Sequence, residues 1–535
     1  SGAPETEGKA LNKQFKNTAI KYHRAKLPQI LDETEQRLID QSVPLFQSKG
    51  RLVRVIRLDD AAEDAGIRRP AGALVIHTPN DHLLLETIAR SVKFATWNAR
   101  REQWVENLPP LEFAKHFNAR GTWKLRVLRG IVEAPTLRAD GTVLSKPGYD
   151  DASGIWLDTG GVTFPEIPES PTRKDALHAL DGLKDVIKDF PFVPDDEDGE
   201  LGDPSSHRSV ALSAILTGVC RKALRTAPGH GFDATSMATG KTLLCDVVSI
   251  IATGRPTSAI SQGKSEEEFD KRLFSILLQG DPVIVIDNID RPVRSDEFCT
   301  VLTAEEWQCR VLGISGNRTV PTNVLFLLNG NGLQFEGDIR TRVIMCHLDA
   351  GVENPGARKF DRDLRTYVPE HRPRLVAAAL TVLRAFVVAG RPGVEDLDAF
   401  GRFEDWSNLV RGALVWLGEP DPCATREALD AIDPERDNLA ALMRAWLKVI
   451  GTEKWVTAKQ VIDAAQPDFG DSVDAIDNDL DEALLTLFPR FKTTKTVGRY
   501  LTKYKGRIVD GMRIQLHAVK GESTEYRLEM VDEPD

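Results

Sequence analysis

The segment Ala234-Thr-Ser-Met-Ala-Thr-Gly240-Lys241-Thr242 runs straight into the apolar stretch Leu243-Leu244-Cys245-Asp246-Val247-Val248, and it constrains the chain most. Small residues and a glycine at the mouth of a helix let backbone N–H groups close around an anion, which the helix dipole also favours. In such a loop Lys241 reaches the outer phosphates of a nucleotide and the Thr242 hydroxyl faces Mg²⁺. Ala238, Thr239, Gly240, Lys241, Thr242 and Leu243 are therefore the expected nucleotide contacts. Two features fit the pattern poorly. Thr235 stands where the usual G-x-x-x-x-G-K-T has its first glycine, and Gly229-His230-Gly231-Phe232-Asp233 makes a weak buried strand.

Later segments of the chain strengthen the reading. Val283-Ile284-Val285-Ile286-Asp287 fits a buried parallel strand with a carboxylate at its C-terminal edge, the place from which an acid orients Mg²⁺. Thr242 and Asp287 are the expected metal contacts. The spacing before that strand predicts a helix: Ser265 caps it three residues before Glu268, Phe269, Leu273 and Leu277 line one face, and Gly280 ends it. A second buried strand, Val324–Leu328, leads into Asn329-Gly330-Asn331, and Asn331 is expected to position the attacking water. Asn288 stands directly after Asp287 where a catalytic glutamate is common, and Asp290 is the nearest acid that could act as base. Arg340 and Arg342, with Arg358 further on, are candidates for a finger projected into a neighbouring subunit's nucleotide.

The ordered set Gly240-Lys241-Thr242, Asp287-Asn288-Ile289-Asp290, Leu302-Thr303 with Trp307, Arg310 and Gly313, Asn329-Gly-Asn331 and Gly337-Asp338-x-Arg340-x-Arg342 resembles the helicase part of phage, prophage and plasmid primase-helicases, in helicase superfamily 3 of the AAA+ proteins. Flanking stretches agree, among them Ala134-Pro135-Thr136-Leu137-Arg138 and Phe403-Glu404-x-Trp406-Ser407-x-Leu409-Val410-Arg411. The resemblance implies a ring, usually a hexamer, with ATP between subunits, single-stranded or forked DNA in the pore, and 3′-to-5′ movement. It also implies a DNA-touching hairpin, which would be Val311–Val320 with Arg318 beside the Gly316-Asn317 turn. The chain departs from the family at Thr235, Met237 and Ala238, and reads N-G-N-G where T-G-N-N is usual.

The remaining sequence sets the frame. With 535 residues, two to four domains are expected. The expected fold is α/β multidomain. A mixed α/β N-terminal domain of unclear role covers 1–190 and an acidic linker covers 191–206. An AAA+ P-loop core with a parallel sheet covers 207–355, a helical region 356–448, and a winged-helix-like DNA-binding domain 449–535. Net charge is −11, yet from Arg490 to Lys520 the bases Arg490, Lys492, Lys495, Arg499, Lys503, Lys505, Arg507, Arg513 and Lys520 stand against one acid, Asp510. Arg499, Lys503 and Lys505 are its expected DNA contacts. The six cysteines form no CxxC pair, which argues against a zinc ribbon and for a reducing cytosol, here that of a bacterial host carrying a phage or mobile element. No run reaches the ~20 apolar residues of a membrane span. The start, Ser1-Gly2-Ala3-Pro4, reads as an internal cut, and any priming activity is expected upstream of it.

Two functions compete. One is an ATP-driven DNA helicase of mobile-element replication. The other is an origin-binding or loading ATPase that uses nucleotide as a switch, which Thr235 and Asn288 favour.

Overall fold

The computed structural model describes residues 19–531 except 65, 197–198, 201–202, 235, 311–316, 359, 427–433, 466–478, 489–491 and 518–522. The chain forms two compact units, Ser1–Arg426 and Glu427–Asp535.

Five parallel strands build the centre of the first unit: β1 (Gly229–Ala234), β2 (Ser258–Ser261), β3 (Val283–Ile289), β4 (Leu325–Gly330) and β5 (Val343–Leu348). Their order is β5-β1-β4-β3-β2, and every neighbouring pair is parallel. Parallel neighbours need crossovers, and helices α1 (Ser206–Cys220), α2 (Lys241–Thr253) and α3 (Glu266–Gln279) alternate with the first strands along the chain. The α3 signals act as the sequence predicts. The Ser265 side chain accepts from Glu268 N, Phe269, Leu273 and Leu277 are buried, and Gly280 takes φ 77°.

The weak strand Gly229–Asp233 lies at the heart of the sheet, fully buried between β5 and β4. This overturns the expectation, and the glycines are the reason. A Cβ on Gly231 would lie 2.3 Å from Met345 Sδ, and one on Gly229 3.0 Å from Leu328 Cδ1. The missing side chains make room for larger neighbours on β4 and β5. His230 is wholly buried, with Nε2 3.1 Å from Ser213 Oγ and its ring edge-on to Trp406. Burial pushes its pKa down to about 3, so it is neutral in the folded state. An unfolded histidine binds a proton near pH 6.5, so between about 3 and 6.5 the unfolded chain holds more protons. Stability is therefore expected to fall as pH drops below 6.5, by up to roughly 1.4 kcal/mol per pH unit from this group. Urea unfolding at pH 7.5 and 5, with His230→Gln flattening the slope, checks this.

The region before the core folds onto it. Small sheets, such as Phe46–Ser48 with Arg51–Arg57 and Leu74–His77, carry their own apolar clusters. From this block the hairpin Ala62–Asp64/Ile67–Arg69 reaches over and pairs antiparallel with β2, making the sheet seven-stranded. Glu133, almost fully buried, accepts from Arg57 and Arg255 and so ties the block to the end of α2. Arg372, from the long helix α5 (Leu364–Val388), donates to Ile251 O, Ala252 O and Glu133 O. It thus satisfies carbonyls that the last turn of α2 cannot satisfy itself. Between α3 and α5 runs α4 (Asp296–Thr303), capped by Ser295. The acidic stretch after residue 190 is strapped at its start: Val193 N donates to His347 O, and Asp195 accepts from Ser206 N and Oγ.

The second unit packs helices Pro434–Val449, Ala458–Ala464, Asp479–Leu487 and Thr494–Lys503 with a four-stranded antiparallel sheet, around Trp446, Leu501, Ile514 and Leu528. The sequence suggests two strands here; Val456–Thr457 and Ile508–Val509 are too short to show a period. Across the described residues, no helix is long and apolar enough to cross a membrane.

Candidate nucleotide site

The loop after β1 lies at the carboxyl edge of the sheet, where ligands of open α/β sheets bind. Ala238 and Gly240 both take left-handed backbone conformations, φ 62° and 105°. Gly240 forms the N-cap of α2, and a Cβ there would lie 3.1 Å from the Phe190 ring. Lys241 begins the helix and folds back under the loop. Its Nζ donates to Asn331 Oδ1 at 2.7 Å, Thr239 Oγ1 at 3.3 Å and Ser236 O at 3.4 Å. All three acceptors are neutral. The Lys241 side chain is buried, and desolvation lowers its pKa. A buried ammonium among neutral acceptors is a fitting receptor for phosphate, which supplies the missing negative charge.

The carboxylate side is a connected chain. Asn329, at the end of β4, donates from Nδ2 to Thr242 Oγ1 at 3.0 Å and to Asp287 Oδ1 at 2.9 Å. Asn329 is buried, whereas Thr242 is exposed. The parallel pairing of β3 with β4 sets the two tips side by side. A hydroxyl and a carboxylate are hard oxygen donors, the type Mg²⁺ takes while keeping several waters. Thr242 and Asp287 therefore fit that ion, which would neutralise charge on bound phosphates. Asp287 Oδ2 also accepts from Arg68 Nη2 at 2.8 Å.

The other sequence candidates lie elsewhere. Asn288 is exposed on a β-bulge with φ 53°. Asp290 is exposed, 3.5 Å from Arg291. Among the described residues, the hydrogen-bonded chain from Thr242 to Asp287 passes through Asn329 and reaches neither of them. Asn331 contacts Lys241 rather than the Thr242–Asp287 pair. Arg340 and Arg342 lie on the 3-10 segment Gly337–Arg342. Arg340 is half-buried, while Arg342 is buried in its own chain beside Asp338 at 3.3 Å. The tip of the Val311–Val320 hairpin, residues 311–316, lies outside the described residues. Its strands Glu306–Arg310 and Asn317–Pro321 pair antiparallel. Arg318 is half-buried near Arg51, whose pKa burial and the Arg318 charge push down to about 10. In the second unit Arg499, Lys503 and Lys505 are exposed, while Val497 and Leu501 of the same helix point into the core.

Sequence reasoning misses Phe360, Arg362, Arg365 and Arg68, while Arg358, one of its finger candidates, lines the cavity over its own loop. A cavity of about 660 Å³ opens over the loop, lined by Lys241, Thr242, Arg358, Phe360, Arg362 and Arg365. Arg358 donates to Asp189 O and lies 5.1 Å over the Phe360 ring, and Arg362 pairs with Asp185 at 2.7 Å. Arg365 is exposed on the first turn of α5. Asn329 is visible in the sequence as a strand-tip amide two residues before Asn331. Arg68 gives no such signal.

No known family profile and no curated protein matches the chain. Among solved structures, the apo A form of the NrS-1 C-terminal region aligns over 93% of this chain and 98% of that one, at 10% identity and TM-score 0.34. JCV helicase aligns over 52% and 73%, at 13% identity and TM-score 0.19. Scores this low carry no argument about fold or function, so the weight falls on the site itself.

Proposed function

We propose that the chain is an ATP-dependent DNA helicase or translocase with an AAA+ core, acting as a ring on single-stranded or forked DNA in the replication of a phage or mobile element. The observation that carries this is the linked chain Thr242, Asn329 and Asp287 beside the buried Lys241 ammonium, held by Asn331, at the carboxyl edge of a β5-β1-β4-β3-β2 sheet. Lys241 would bind the outer phosphates, and Thr242 with Asp287 would hold Mg²⁺. The cavity's arginines supply further positive charge. Arg340, half-buried, Arg342, buried beside Asp338, and Arg358 are the candidates for a finger into a neighbouring subunit.

Two features support DNA as the track. Arg318 lies near Arg51, and a phosphate there would meet two cations. The second unit presents Arg499, Lys503 and Lys505 on one exposed stretch, which we assign to a winged-helix contact with DNA. By the sequence resemblance the ring is a hexamer moving 3′ to 5′, with a primase as partner.

One observation favours a second reading, an initiator that uses ATP as a switch. Neither Asn288 nor Asp290, the sequence candidates for the base, is hydrogen-bonded to the Thr242–Asn329–Asp287 chain among the described residues. ATP hydrolysis with and without single-stranded DNA, beside displacement of a labelled strand from a fork, separates the two. DNA-stimulated turnover with displacement is expected. Nucleotide binding without either would sink the helicase and leave the switch.

A further inference from the structure

Arg68 lies opposite Ala259 on the antiparallel strand that extends the core sheet beyond β2. Its neighbour Arg69 points to the other face, as strand alternation requires. There Arg69 pairs with Asp281 at 2.9 Å, with side chains 7% and 2% exposed, and Asp281 also accepts from Ser258 Oγ at 2.6 Å. Losing either member would leave an uncompensated buried charge, so this pair pins the hairpin to the core.

Arg68 is different. Its side chain is 57% exposed on a flexible stem, and its Nη2 reaches Asp287 Oδ2. Asn329 holds the other carboxylate oxygen, Oδ1. Asp287 thus has one oxygen on a buried amide and the other on a solvent-exposed cation. An exposed ion pair is weak and screened by salt. A small divalent cation, which prefers carboxylate oxygens, can displace it.

We propose that Arg68 is a tethered counter-ion that competes with the divalent cation for Asp287, so that loading the metal requires release of Arg68. This rests on the nucleotide-site reading and adds a regulatory element to it. The N-terminal block thereby feels whether the site is loaded, through the same hairpin that Arg69 anchors.

The test is direct Mn²⁺ binding by electron paramagnetic resonance on the full chain with ADP, beside affinity for a fluorescent ATP analogue in EDTA. In Arg68→Ala and Arg68→Gln, half-saturating Mn²⁺ is expected to fall by roughly two- to fivefold, with the larger effect at low salt. Arg68→Lys keeps the charge and is expected to stay closer to the unmodified chain. Affinity in EDTA should be unchanged in all three. Equal or higher half-saturating Mn²⁺ in both neutral variants, with the ATP analogue still bound, overturns the proposal alone. An unmodified chain that binds no nucleotide overturns the site reading and this inference with it.

Discussion

Lys241→Ala is expected to lower ATP hydrolysis by about two to three orders of magnitude, the usual loss when one preorganised donor to developing phosphate charge is removed. Nucleotide affinity should weaken as well, because in the proposed site the ammonium would contact phosphate before and during the reaction. The fold should survive. Nζ makes three hydrogen bonds, all to neutral groups of the loop and Asn331. Removing them strands at most one well-made acceptor, Asn331 Oδ1, and Asn331 is exposed to water. The cost to stability is on the order of 1 kcal/mol, and the melting temperature should move by a few degrees at most. Turnover, nucleotide affinity and thermal melting are measured on the same preparation. Hydrolysis within a few-fold of the unmodified chain, with melting unchanged, would mean that Gly240-Lys241-Thr242 is only a turn at a helix mouth.

Local signals make part of this legible in the sequence. Ser265, Phe269, Leu273, Leu277 and Gly280 state a capped amphipathic helix, and the structure forms it. Val283–Asp287 states a buried strand with an acid at its tip, and β3 forms there. What stays hidden depends on partners far along the chain. β1 looks too glycine-rich for a central strand because the bulk that fills it, Met345 and Leu328, belongs to strands about a hundred residues later. Arg68 meets Asp287 only because a hairpin from the N-terminal block pairs with β2. Arg372 serves the end of α2 across a similar gap. No periodicity in one segment encodes such a meeting.

Asn329 and Asn331 show the same limit at the site, and they carry the second large effect. They stand two residues apart, Asn329 inside β4 and Asn331 just past its end, so the sequence pattern alone does not choose between them. Burial and bonding do. Asn329 is 5% exposed and its amide bridges Thr242 and Asp287, whereas Asn331 is exposed and touches the Lys241 ammonium instead. Asn329→Ala is therefore expected to cut kcat by about a hundredfold with little change in KM, since it frees the carboxylate proposed to orient the metal while leaving the proposed phosphate loop intact. Asn331→Ala should cost less than about tenfold, and should do so through nucleotide affinity, because Lys241 keeps Thr239 and Ser236 as acceptors. Asn329→Asp is a useful third variant. It keeps the shape but replaces a donor with a second negative charge beside Asp287, so it should turn over as poorly as the alanine variant. Steady-state hydrolysis across an ATP range, with Mg²⁺ held in excess, gives both parameters. If Asn331→Ala lost more kcat than Asn329→Ala, the amide that serves the reaction would be the one on Lys241, and the Thr242–Asn329–Asp287 chain would be structural only.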